Sequence, residues 1–179
     1  LEADAVWSLL PRKGGIHLLG TGNKGRILLY DGKEVKEAAD TDALAVTAMS
    51  DDGNGLILAA TMPNGHIYRL IPEEGGTYKP ELFARMPASY VWALVFNRKD
   101  GSFYAATGPE GQVYRLTVEG AVTLWLNTKE THVLSLVCDA DGALFAGTAP
   151  RGLVMRIDGK NALSVLYDCA EEEVWRMAL

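Results

Sequence analysis

The stretch VWALVFNRKDGSFYAATGPEGQVYRL, residues 91–116, decides the fold. It holds three strand-length apolar runs, broken by RKDG at 98–101 and by GPEG at 108–111. Gly, Asp and Pro at such points supply the positive or preset φ that a tight reversal needs. A fourth run, VTLWL at 122–126, follows the turn VEG at 118–120. The stretch therefore reads as four short strands joined by turns, with no 3.6-residue period in any window.

Working outward, the same unit recurs along the chain. Its opening pattern is Val, a large or β-branched residue, usually a small residue, then Leu or Met: VWSL at 6–9, VTAM at 46–49, VWAL at 91–94, VLSL at 133–136 and VWRM at 174–177. A second pattern lies about fifteen residues later: LGTGNKGRI, AATMPNGHI, AATGPEGQV and AGTAPRGLV, with Thr21, Thr61, Thr107 and Thr148 at one slot. A period of roughly forty residues carrying four antiparallel strands is the spacing of a β-propeller blade. The reading is an all-β chain: a single β-propeller segment over 1–179, with blades at about 6–40, 46–86, 91–128 and 133–169, and the first strand of a fifth at 174–179. A β-sandwich would not demand one four-strand unit four times over.

We letter the strands a to d within each blade, from the inside of the ring outward. Strand a begins at the Val, b ends in the Thr, c follows the repeat Gly, and d precedes the next Val. Alternation puts the a–b and c–d turns on one face, and the b–c turns with the d–a linkers on the other. The fifth strand a has no b, c or d behind it, so the expected object is part of a six- to eight-bladed ring. Two copies completing one ring is the second expectation, because propellers close to hide their edges.

The run DGSFYAATGPEGQVYRL at 100–116 resembles bacterial propeller repeats of the NHL, gluconolactonase-like and sensor-regulator kinds, and TGNKGRILLYD at 21–31 is most similar to an NHL unit. The Gly-His and Trp-Asp signature of WD repeats and the Asp-box of sialidases are missing. The resemblance implies a rigid scaffold used mostly for binding and sometimes for catalysis, so function has to be argued from a site.

Composition narrows the classes. Of 179 residues 48% are hydrophobic and 22% charged, an ordinary globular balance. Net charge is −6 and the 17 Lys and Arg are scattered, which argues against nucleic acid and anionic membrane surfaces. No apolar run reaches the ~18 residues of a membrane helix. Cys138 and Cys169 are too few for a disulfide framework, and the strand order puts them at opposite ends of a blade. The start Leu1-Glu2-Ala3-Asp4 has neither an initiator Met nor a signal segment, and reads as part of something longer. A periplasmic or extracellular location is the expectation.

Candidate site residues come from slots that vary while the frame repeats. Tyr90, His132 and Glu173 each precede the strand-a Val, where Ala5 and Ala45 stand in the other repeats. With Asn64, Glu110 and Arg151 in the b–c turns, they form the expected ligand-binding set at the channel mouth. Trp7, Trp92 and Trp175 share a slot with Thr47 and Leu134, which reads as blade-to-blade packing ahead of a sugar-stacking ring. Arg69, Arg115 and Arg156 share a slot in strand c and read as solvated or strand-paired cations ahead of an anion-binding ring. The repeated threonines read as ties for the b–c turn. TGNKG at 21–25 lacks the spacing and following helix of a phosphate loop.

No catalytic residue, cofactor or metal is assigned. His17, His66 and His132 fall at different phases of the repeat, against a histidine metal cluster. Asp40, Asp42, Glu130, Glu171, Glu172 and Glu173 lie in d–a linkers, where gluconolactonase-type propellers hold a cation, so the resemblance keeps a rival open. The first reading is a non-enzymatic module recognising a protein, peptide or glycan. The rival is a metal-dependent hydrolase or lactonase with acids at the central channel.

Overall fold

The structure is a computed structural model that describes residues 5–179; the first four residues lie outside the described part. It is all-β, with four four-stranded antiparallel sheets, each in strict chain order. Blade 1 holds β1 (Val6–Pro11), β2 (His17–Thr21), β3 (Arg26–Tyr30) and β4 (Val35–Asp40). Blade 2 holds β5 (Ala45–Asp51), β6 (Ile57–Met62), β7 (His66–Pro72) and β8 (Tyr78–Arg85). Blade 3 holds β9 (Tyr90–Asn97), β10 (Ser102–Gly108), β11 (Gln112–Leu116) and β12 (Val122–Asn127). Blade 4 holds β13 (His132–Cys138), β14 (Leu144–Ala149), β15 (Leu153–Gly159) and β16 (Ala162–Asp168). Contacts divide the chain into two compact units, one ending at Pro87 and the other spanning Ala88–Leu179.

In the opening pattern the buried Val and the Leu or Met are three residues apart, which a regular strand of period two would put on opposite faces. The register shows how they share one. In β5, Val46 pairs with Thr61 and Ala48 with Ala60, leaving Thr47 as an extra residue. Trp7, Trp92 and Leu134 are the extra residues of β1, β9 and β13. The variable slot is thus a β-bulge in every strand a, and a bulge re-aims its side chain while restoring phase for the core. Val46, Val91 and Val133 are fully buried, and Met49, Leu94 and Leu136 nearly so. Each such side chain contributes about 1.5–3 kcal/mol.

The small residue after the bulge governs how one blade meets the next. It pairs across the sheet as Ser8 with Gly20, Ala48 with Ala60, Ala93 with Ala106, and Ser135 with Gly147. Ser8 Oγ donates to the Val46 carbonyl at 3.0 Å, and a methyl on Gly20 would stand 2.8 Å from Val46 Cγ1. Opposite a serine, only glycine leaves room for the neighbouring strand. Ser135 Oγ donates in the same way to the Val174 carbonyl at 2.8 Å, and Val174 N–H donates to the Thr148 carbonyl at 3.1 Å. Val174 therefore stands against blade 4 as Val46 stands against blade 1, although 174–179 has no ladder partner among the described residues.

The repeat threonines tie the b–c turns. Thr21, Thr61, Thr107 and Thr148 Oγ1 donate to the carbonyls of Arg26, His66, Gln112 and Leu153, five residues on, at 2.8–3.4 Å. The repeat Gly closes the same end of the blade: Gly111 has φ +53°, and its carbonyl accepts from Thr128 N–H and Oγ1 of the d–a linker. A Cβ there would collide with the Glu130 carbonyl. The cysteines are both free.

Candidate binding sites

In the second unit the b–c turns and d–a linkers of blades 3 and 4 lie at one end of the sheets, and three of the sequence-selected residues gather there around Trp92. The Tyr90 ring stacks on Trp92 with centroids 5.3 Å apart. His132 meets Trp92 edge-on at 5.7 Å, and Trp92 Nε1 donates to His132 Nδ1 at 3.1 Å, so Nε2 carries the imidazole proton. Trp175 stands perpendicular to Trp92 at 6.2 Å and donates its indole N–H to Glu173 Oε2 at 2.6 Å. Tyr90, Trp92 and His132 are half-buried, while Trp175 is 44% exposed. Trp92 is half-buried, and it packs on the next blade through His132 while keeping part of its ring at the surface. The bulge takes Trp92 out of the alternation that buries Val91 and Leu94, and the size of the ring keeps it at the surface where Thr47 and Leu134 in the same slot are buried.

The other three selected residues are placed differently. Asn64 and Glu110 are exposed in the b–c turns of blades 2 and 3. Arg151 Nε donates to Glu130 Oε1 at 2.9 Å, and its Nη2 reaches the same oxygen. The Glu130 side chain is 2% exposed, so this guanidinium neutralises a buried carboxylate, and the bond raises the Arg151 pKa above its usual value. Among the described residues, no group of three or more His, Cys, Asp or Glu is arranged to hold a metal ion. The strand-c arginines are paired: Arg69 with Glu81 at 2.7 Å, Arg115 with Asp100 at 3.6 Å and Arg156 with Asp158 at 3.2 Å.

The opposite end of blades 3 and 4 carries a feature that sequence reasoning missed. A cleft of about 460 Å³ opens between them, walled by Trp125, Tyr104, Lys99 and Asp141. Trp125 is the bulge residue of β12, unpaired between Leu124 and Leu126, and Tyr104 meets its ring edge-on at 5.5 Å. Tyr104 donates its hydroxyl to Asp100 Oδ2 at 2.7 Å; burial first, and then this bond, push the phenol well above its usual value. Nothing in the repeat pattern flags Trp125, since strand d is the least regular of the four.

No family model matches the chain, and no curated protein matches it by sequence. Solved structures do. A nidogen/laminin complex matches with a TM-score of 0.79 at 12% identity, over 95% of this chain and 67% of that one. Virginiamycin B lyase from Staphylococcus aureus, as the inactive H270A form with quinupristin, matches with a TM-score of 0.75 at 17% identity, over 95% and 58%. The PQQ-bound aldose sugar dehydrogenase of Streptomyces coelicolor matches with a TM-score of 0.71 at 16% identity, over 90% and 63%. The chain spans between about half and two thirds of these structures. At such identities the likeness speaks for the fold alone, and that fold is a β-propeller, here as four blades with a docked fifth first-strand segment.

Proposed function

We propose that this chain is a non-enzymatic binding module, taking a protein, peptide or glycan ligand at the b–c and d–a end of blades 3 and 4. The observation that carries the reading is the Trp92 cluster. Trp92 and Tyr90 stack on each other and stay partly open to solvent. Half-exposed Trp and Tyr held in fixed orientations are what recognition surfaces are enriched in, because they supply large contact area at little entropic cost. His132 and Glu173 add polar atoms at the rim, and the bond from the exposed Arg151 to the buried Glu130 fixes the loops beside them.

The rival hydrolase needs several hard oxygen donors converging on one cation. The d–a linker acids form no such group among the described residues, and Glu130 is already taken by Arg151. The nidogen/laminin neighbour, a propeller within a protein complex, supports a macromolecular partner.

The test is binding of the purified chain to arrays of immobilised glycans and peptides. Trp92→Leu and Trp175→Leu variants that keep the wild-type far-ultraviolet spectrum should lose the array ligands. Retention of every ligand by both variants would sink the reading.

A further inference from the structure

The cleft at the far end of blades 3 and 4 is untouched by the function proposed above. At about 460 Å³ it falls within the roughly 300–1,000 Å³ of small-molecule sites. It is built in advance of any ligand. Asn97, 5% exposed, donates from Nδ2 to the Gly142 carbonyl at 3.0 Å and accepts from Lys99 N–H on Oδ1, tying the a–b turn of blade 3 to that of blade 4. Gly142 has φ +85°, and a Cβ there would press on Lys99 at 2.9 Å. A wall fixed by buried hydrogen bonds costs a ligand little ordering on entry.

The lining then selects the ligand. Asp100 and Asp158 are each compensated by an arginine, at 3.6 and 3.2 Å. Asp141 and Lys99 have no ion pair among the described residues and cancel each other in charge. With Arg115 pairing Asp100 from outside the lining, the charges around the cleft balance and exert little net pull on an ion. The lining does set hydrogen-bond donors and acceptors side by side, which suits hydroxyl groups, since each both donates and accepts. Trp125 and Tyr104 add apolar ring surface, against which the C–H face of a sugar packs while its hydroxyls turn to the polar groups. The Arg115 guanidinium lies 5.9 Å from the Trp125 ring centre and holds that ring in place.

We propose that this cleft is a second binding site, for a neutral saccharide of one or two sugar units, distinct from the Trp92 surface. The experiment follows the indole N–H resonances of the four tryptophans in ¹⁵N-labelled protein, assigned with a Trp125→Phe variant. The titrants are glucose, N-acetylglucosamine, maltose and cellobiose, with arginine amide and glucuronate as charged probes. At least one neutral sugar should shift the Trp125 indole and the Gly142 amide saturably, leaving the Trp92 and Trp175 indoles in place. Asp141 is exposed, so Asp141→Lys should fold normally and weaken that sugar by about tenfold, the usual cost of losing a hydrogen bond to a charged group. The proposal is overturned if no neutral sugar moves Trp125, if either charged probe binds the cleft more tightly than every sugar, if the sugar shifts centre on Trp92, or if Asp141→Lys leaves the affinity unchanged.

Discussion

A single methyl separates the residue after the repeat threonine in blades 1 and 3 from its counterpart in blade 4: Gly22 and Gly108 against Ala149. The glycines occur in the two complete blades whose bulge slot holds tryptophan, and the ring explains why. A Cβ on Gly22 would lie 2.9 Å from Trp7 Cδ1, and one on Gly108 would lie 2.8 Å from Trp92 Nε1 and collide with the His132 ring. Gly108→Ala should therefore destabilise the fold by about 1–3 kcal/mol, the range for overpacking, and break the Trp92–His132 hydrogen bond. Urea denaturation and near-ultraviolet circular dichroism would read both effects, and an unchanged midpoint with an unchanged aromatic spectrum would show that the indole has somewhere else to go. The linkage between the two slots was present in the sequence, but only as a coincidence of residue types. Knowing that the slot is a bulge turns it into a contact.

At the same scale, Tyr104 makes stability depend on pH. Its folded pKa is raised by burial and by Asp100, while the unfolded phenol ionises near 10. Its contribution is thus fully present below pH 10 and is lost as the pH climbs from there toward the folded value. Wild-type stability should fall through that alkaline window, and Tyr104→Phe should flatten the fall while lowering stability at neutral pH through the lost bond to Asp100. A Tyr104→Phe profile parallel to wild type above pH 10 would assign the alkaline loss to other groups.

Among the elements, the b–c turn is the one most completely specified by local residues. Thr107 is fully buried and its hydroxyl satisfies the Gln112 carbonyl at 2.8 Å. Thr107→Val keeps the shape and removes that donor, so it should cost about 1–3 kcal/mol, the desolvation cost of a buried orphan acceptor. A loss below about 0.5 kcal/mol would mean the turn is held by its backbone alone. The turn was readable because Thr and Gly recur at fixed offsets, and so was the strand order, whereas the acidic partners of the strand-c arginines came only with the structure. Strand d is the opposite case: Ala38, Phe83, Trp125 and Leu166 are its bulge residues, with no common type between them. That irregularity hid Trp125 and the cleft.

For the molecule as a whole, the repeat lets one position be compared across blades. Val6 and Leu9 are each 55% exposed, whereas Val46, Val91 and Val133 are fully buried. Covering by an adjoining blade is part of the difference, as Val46 beside Ser8 shows. Val46→Ala should cost about 2–4 kcal/mol and Val6→Ala less than about 1 kcal/mol. Equal losses would mean that Val6 is covered in solution.

The binding role rests on which end of blades 3 and 4 meets the ligand, and one comparison of affinities tests that. A ligand retained from the arrays is titrated against two folded variants, Tyr90→Ala/His132→Ala/Glu173→Ala at the b–c and d–a end and Glu119→Ala/Lys160→Ala at the c–d turns. At least a tenfold loss, about 1.4 kcal/mol or more, is expected for the first, and less than a twofold change for the second. Wild-type affinity in the first variant with a loss in the second would contradict that binding role.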